Sequence, residues 1–311
     1  MSKTTRRRGI IIGLCVLVLA AAIVIPVVLL PRRATDKIVV IPLSGSITAG
    51  GSTLSSGSTI TPGLVRNYLA KAERDKSVKA IVLRIDSPGG EIEPCQEILS
   101  EIERAKETKK IVVSMGSMAA SGGYYISTAA DKIVALPTTE TGSIGVISSA
   151  VNVKGLLEKL GIQIEIFKGG KYKDMYWGLR ELTPEEQQIM QATVDEYYQQ
   201  FVELVAEKRG LSEADVRDLA TGQLYTGTRA KELGLVDELG DLDTAIDLAT
   251  ELAGIKTATV TYYKPPRQTL WTLLGLVDAI KARISGLSAE DTILLEILNH
   301  NYPQPLFLYQ S

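Results

Sequence analysis

The chain has 311 residues, 45% of them hydrophobic and 23% charged, with a formal net charge of −2. That length and apolar content are enough for a full core and exclude a disordered chain, and the balanced charge gives no basic stripe for nucleic acid. Two cysteines and a single histidine, His300, exclude a disulfide framework and a Cys-based zinc site. A Ser-His-Asp triad would have to use a tail residue. With no metal-ligand cluster and no ATPase motif in the sequence, neither a metal nor another cofactor is expected.

"MSKTTRRR" opens the chain, and "GIIIGLCVLVLAAAIVIPVVLL" follows without a charge over residues 9–30. At 1.5 Å per residue this run spans about 33 Å, the depth of a bilayer core. It is longer than the apolar region of a cleavable signal peptide, so an uncleaved signal anchor is expected. Lys3, Arg6, Arg7 and Arg8 outweigh Arg32 and Arg33, which places residues 1–8 in the cytoplasm and the rest outside it.

Beyond the anchor, "KIVVIPLSGSI" (37–47) reads as a buried strand entering a Gly/Ser-rich loop. "TPGLVRNYLAKAERD" (61–75) reads as a helix capped by Thr61, with Pro62 in its first turn. "VKAIVLRID" (78–86) is a second strand ending at "SPGG", and residues 96–107 form an amphipathic helix. Strands are expected at 110–116, 131–137, 142–149 and 162–168, with a short helix at "GLLEKLG". Thr183 and Glu186 form a capping box for a long helix over 183–210, and further helices follow in "SEADVRDLA" and after "GTRAKELG". Such alternation predicts an α/β fold with mostly parallel strands. After Pro265 and Pro266 the chain changes character, and an apolar helix around 270–284 suits a core or an oligomer contact before it suits a membrane surface.

The stretch "GSMAASGGYYIS" (116–127) sets Ser121 between alanines and glycines, so a reacting group can approach its hydroxyl closely. A serine needs a base, and with histidine all but absent the remaining candidates are a carboxylate or a lysine whose pKa burial lowers. "FKGGKYKDMYWG" (167–178) offers Lys168, Lys171 and Lys173, and composition does not choose among them. "DSPGG" (86–90) ends a buried strand with two glycines, whose unobstructed backbone N–H groups suit an oxyanion hole. The same pattern also suits a plain turn with Pro88 at its second position.

"LRIDSPGG", "VSMGSMAASGGYYISTAADKIVALPTTETGSIGV", "KGGKYKD", "RELTPEEQ" and "GQLYTGTRAKELGLVDELGD" occur in this order across about residues 38–250. Together they resemble the signal peptide peptidase A (protease IV) family of the Clp protease/crotonase superfamily. The resemblance implies a crotonase/Clp-protease-like ββα-superhelix, here with an N-terminal transmembrane helix. It implies Ser121 as nucleophile, Lys173 as general base and Ser143 as the group that orients the lysine. Gly89 and Gly122 would then be the oxyanion donors. The domains it implies are a cytoplasmic N-terminus (1–8), a transmembrane signal anchor (9–30), a serine peptidase catalytic domain (31–250) and a C-terminal extension (251–311).

The resemblance further implies a homo-oligomeric ring with sites lined by neighbouring subunits. Its substrates would be peptides, among them cleaved signal peptides and other hydrophobic or unfolded segments. Gly169, Cys95 and "MYWGLRELT" depart from the family pattern, so the substrate cleft around Tyr176 and Trp177 is not carried over. The competing readings are a catalytically silent membrane scaffold and an acyl-CoA enzyme of the same fold. The first has no need of an intact Ser121, Lys173 and Ser143, and the second would find no CoA outside the cytoplasm.

Overall fold

The computed structural model describes residues 36–50, 59–264 and 306–308. The expected anchor (9–30), the apolar helix around 270–284 and His300 lie outside the described residues. Among those that are described, no helix is long and apolar enough to cross a membrane.

In chain order the elements are β1 (Lys37–Ser44), β2 (Ser46–Ile47), β3 (Thr59–Ile60), α1 (Pro62–Arg74), β4 (Val78–Ser87), β5 (Gly89–Glu91), α2 (Ile92–Lys106) and β6 (Lys110–Ala120). Then come α3 (Gly122–Ser127), β7 (Lys132–Ala135), β8 (Glu140–Gly142), α4 (Lys154–Lys159), α5 (Pro184–Arg209), α6 (Glu213–Leu219) and β9 (Leu224–Thr226). The last are α7 (Gly227–Glu232), β10 (Glu238–Leu239), α8 (Leu242–Leu252), β11 (Thr259–Tyr262) and β12 (Leu306–Leu308).

The main sheet runs β10-β7-β6-β4-β1-β11, with every neighbouring pair parallel. β8 continues along the end of β6 in parallel, and β9 pairs with β8 in the antiparallel sense. A second small sheet, β12-β5-β2-β3, stands beside the C-terminal ends of β1 and β4. The fold is α/β with a mixed, largely parallel sheet.

Strands buried on both faces read as continuous apolar runs, and β1 and β4 do so. Val39, Ile41 and Leu43 enter the larger core with α1, α2 and α5, while Ile38 and Val40 point to the other face. There Ala245, Ile246 and Ala249 of α8 cover them together with Val82, Val112 and Val134. At about 25 cal/mol per Å² of apolar surface, these two layers dominate the stabilisation of the domain.

Caps fix the helices as expected. The Thr61 hydroxyl accepts the Leu64 N–H at 3.3 Å, and the Thr183–Glu186 box closes in both directions. Three expectations need correction. Residues 162–168 alternate like a strand, yet they have no strand neighbour and form none; Ile162, Ile164 and Phe167 are exposed. The strand expected over 142–149 lies earlier, at Glu140–Gly142, because its partner β6 ends at Ala120. Finally, α2 begins at Ile92, since Pro94 fits a first helical turn.

Candidate active site

β6 carries the chain directly into Ser121, and α3 starts at the next residue. Ser121 has φ 51° and ψ −115°, a conformation that costs a non-glycine residue about 1–3 kcal/mol. Two backbone bonds hold it there. Its N–H donates to the Gly142 carbonyl at 2.8 Å, and its own carbonyl accepts the Tyr125 N–H at 2.8 Å. Just upstream, the ladder between β4 and β6 slips between Ile85 and Ser87. The Asp86 carboxylate spans this irregularity by accepting the Met118 N–H at 3.0 Å. A side chain on Gly116 would collide with that carboxylate at 2.7 Å, so the glycine there is required.

The two glycines expected as oxyanion donors lie against each other. A Cβ on Gly122 would stand 3.1 Å from the Gly89 Cα, 3.1 Å from the Gly90 N and 2.6 Å from the Cys95 Sγ. Gly89 itself sits at φ 106°, open to glycine and to few other residues. Its N–H donates to the Ser87 hydroxyl at 3.1 Å, so a buried serine occupies the donor in this state. Cys95 is fully buried behind the turn, and desolvation, aided by the nearby Glu91, pushes its thiol far above the ordinary range. It is a packing residue.

Ser143 follows Gly142 at the end of β8, is buried, and also has a positive φ of 48°. Its N–H donates to the Gln223 carbonyl at 2.8 Å. Because Ala120 and Gly142 are register partners, Ser121 and Ser143 are the next residues on two paired strands.

The three lysines separate by their partners. Lys168 donates to Asp174 at 2.5 Å, and Lys171 is bonded to Glu185, which raises its ammonium above the usual lysine range. An ion pair favours the charged form, the wrong state for a base. Lys173 is exposed and has no side-chain hydrogen bond or ion pair among the described residues. Among the described residues it therefore makes no hydrogen bond to Ser121 or Ser143.

The family model for "Peptidase family S49" matches residues 103–256. A putative protease of Synechocystis is 39% identical over 243 residues, covering 77% of this chain and 88% of the relative. A putative signal peptide peptidase SppA of Enterococcus faecium is 40% identical, covering 74% of this chain and 68% of the relative. The chain belongs to peptidase family S49. It is a serine peptidase, related to the proteins named Protease 4 and SppA. Protease 4 of Salmonella typhi is 40% identical, but this S49 peptidase spans only 44% of its length. Among solved structures, a ClpP1 mutant from Listeria monocytogenes aligns at TM-score 0.44 and 19% identity, covering 67% of this chain and 94% of that one.

Two features of the S49 peptidase went unread in its sequence. Asp86 and Ser87 precede "PGG" as an ordinary strand end, and only the register slip shows what they hold. The second feature is an ion cluster built on Asp174, Arg180 and Glu186. Its signal is an arginine between two acids six residues away on either side, a spacing that puts the acids on other sides of a helix from the arginine and that no strand here brings together.

Proposed function

We propose that this chain is a membrane-anchored serine endopeptidase that uses a Ser121/Lys173 dyad to degrade remnant signal peptides and other hydrophobic or unfolded peptides. The observation that carries the reading is the turn at Ser121. A strained serine at a strand–helix junction is followed at once by Gly122, which packs against the Gly89 turn, and the backbone N–H groups of these two glycines suit an oxyanion hole.

In this reading the Ser121 Oγ attacks the scissile carbonyl, and the Lys173 Nζ takes the hydroxyl proton. The N–H groups of Gly89 and Gly122 receive the oxyanion, in competition with the Ser87 hydroxyl. Lys173 then returns the proton to the leaving amine, and water, activated by the same lysine, releases the acyl group. Ser143 orients the ammonium from the neighbouring strand end. An extended substrate adds to β5, and the antiparallel pairing of β12 on Gly89–Glu91 supports this docking mode.

Completion of the site by a neighbouring copy is part of the proposal. A lysine acts as a base only when neutral, and burial is what disfavours its charged form. Lys173 lies in a segment whose apolar side chains are left in water, Leu160 at 64% and Phe167 at 91% exposure. A ring of identical copies would cover those side chains and desolvate the lysine together. Residues 9–30 anchor the ring, with the N-terminus cytoplasmic and the catalytic domain outside.

The deciding test is hydrolysis of a fluorogenic hydrophobic peptide by wild type, Ser121→Ala and Lys173→Ala, with the assembly state checked by light scattering. Loss of turnover in both variants with assembly intact supports the dyad. Near-normal turnover in Lys173→Ala overturns it.

A further inference from the structure

Lys173 sits in a stretch with no repetitive structure, between Gly170 at φ 104° and Gly178 at φ 66°. Such a segment does not hold an ammonium in place by itself. The next residue, Asp174, is only 4% exposed, and it is the point where the turn is tied down. The Arg180 guanidinium grips it twice, Nε to Oδ2 at 2.9 Å and Nη2 to Oδ1 at 2.8 Å.

The same guanidinium grips a second carboxylate. Nη1 donates to Glu186 Oε2 at 2.8 Å and Nη2 to Glu186 Oε1 at 2.6 Å. Glu186 is the capping-box residue of α5, and its Oε2 also accepts the Thr183 N–H at 2.9 Å. One arginine therefore bolts the Lys173 turn to the first turn of the longest helix described. The other end of α5 is anchored in the core through Phe201, Val202 and Val205, and the Phe201 ring meets the Tyr125 ring edge-on at 5.1 Å. Tyr125 lies one turn after Ser121.

We propose that Arg180 is a positioning residue for catalysis, fixing the Lys173 backbone to α5 so that the helix presents the lysine at a set place relative to the serine turns of the assembly. The inference rests on the Ser121/Lys173 reading and adds to it the part that aims the base. Arg180 must be an arginine for this purpose. A planar fork serves two carboxylates at once, whereas a lysine keeps the charge and loses the second grip.

The test uses the full chain in detergent and a fluorogenic peptide, with kcat and KM measured separately. Arg180→Lys is expected to lower kcat about 10²-fold with KM within about twofold, because misplacing a catalytic group by about 1 Å costs on that order. Thr183→Ala is the comparison, since it removes the cap of α5 without touching the Asp174–Arg180 bonds. It is expected to lower the melting temperature as much as Arg180→Lys or more, with kcat changed by less than about threefold. If both variants lose kcat in proportion to melting temperature, Arg180 is structural only and the proposal fails. If Arg180→Lys leaves kcat unchanged while Lys173→Ala abolishes it, the proposal also fails and the dyad stands. If Lys173→Ala stays active, the dyad itself has failed, and the aiming role falls with it.

Discussion

Ser121 and Ser143 each stand one residue beyond a register pair, Ala120 and Gly142, on two parallel strands, and both turn to positive φ, 51° and 48°. A single bond, from the Ser121 N–H to the Gly142 carbonyl, locks one turn to the other. In the proposed dyad, the strain held at these adjoining strand ends serves the joint use of the two hydroxyls.

This relation separates stability from activity at Ser143. Ser143→Ala removes the hydroxyl and keeps the strain, whereas Ser143→Gly removes both. Both variants should lose about 10²-fold in kcat. The glycine variant should nevertheless melt higher than the alanine variant in a calorimetric scan.

At Gly122 the prediction concerns packing. Gly122→Ala drives a methyl group into the Cys95 Sγ at 2.6 Å and toward Gly89 at 3.1 Å, and overpacking of this kind costs about 1–3 kcal/mol. Adding Cys95→Ala should restore much of the lost melting temperature. Turnover should stay low, because the new methyl still crowds Gly89, and peptide hydrolysis by the single and double variants measures this directly.

Acid should loosen the Arg180 cluster. Arg180 holds Asp174 well below the usual carboxylate range, and it lowers Glu186 to about 2. Depressed carboxylates contribute stability that is present above their unfolded values, near 4, and is lost as pH falls toward the folded ones. Between about pH 4.5 and 2, wild type should lose melting temperature more steeply than Arg180→Met. Parallel slopes in a pH series of thermal melts would remove the cluster from the acid response.

β12 lies on the edge of β5 that the proposed substrate needs, so the chain competes with its own peptide substrate. Deleting residues 306–311 should raise kcat/KM for a short peptide and leave the kcat at saturation nearly unchanged. Initial rates across a substrate series give the answer, and an unaltered kcat/KM would mean that substrate does not pair with β5.

How much of this was legible depended on whether the signal was local. The caps at Thr61 and Thr183, the apolar runs of β1 and β4, and the small residues around Ser121 are all local, and the structure places each where it was read. Residues 162–168 carry a strand's alternation, but a strand exists only where another pairs with it, and pairing is not written in the segment itself. β11 escaped notice for the opposite reason. "TVTY" is short, and what makes it a strand is β1, far upstream. For the same reason Arg180 was overlooked: its two carboxylates are gathered by an irregular turn rather than by any period.

The pairing of β1 with β11 joins Lys37 to Thr259, about 220 residues apart in sequence. β1 leaves the ribosome early, yet its outer edge stays open until Tyr262 has been made. Contacts of such separation are slow to form because loop closure precedes any gain from them. The main sheet therefore cannot be completed until synthesis has passed β11, and the first strand made waits for nearly the whole domain before its outer edge is covered.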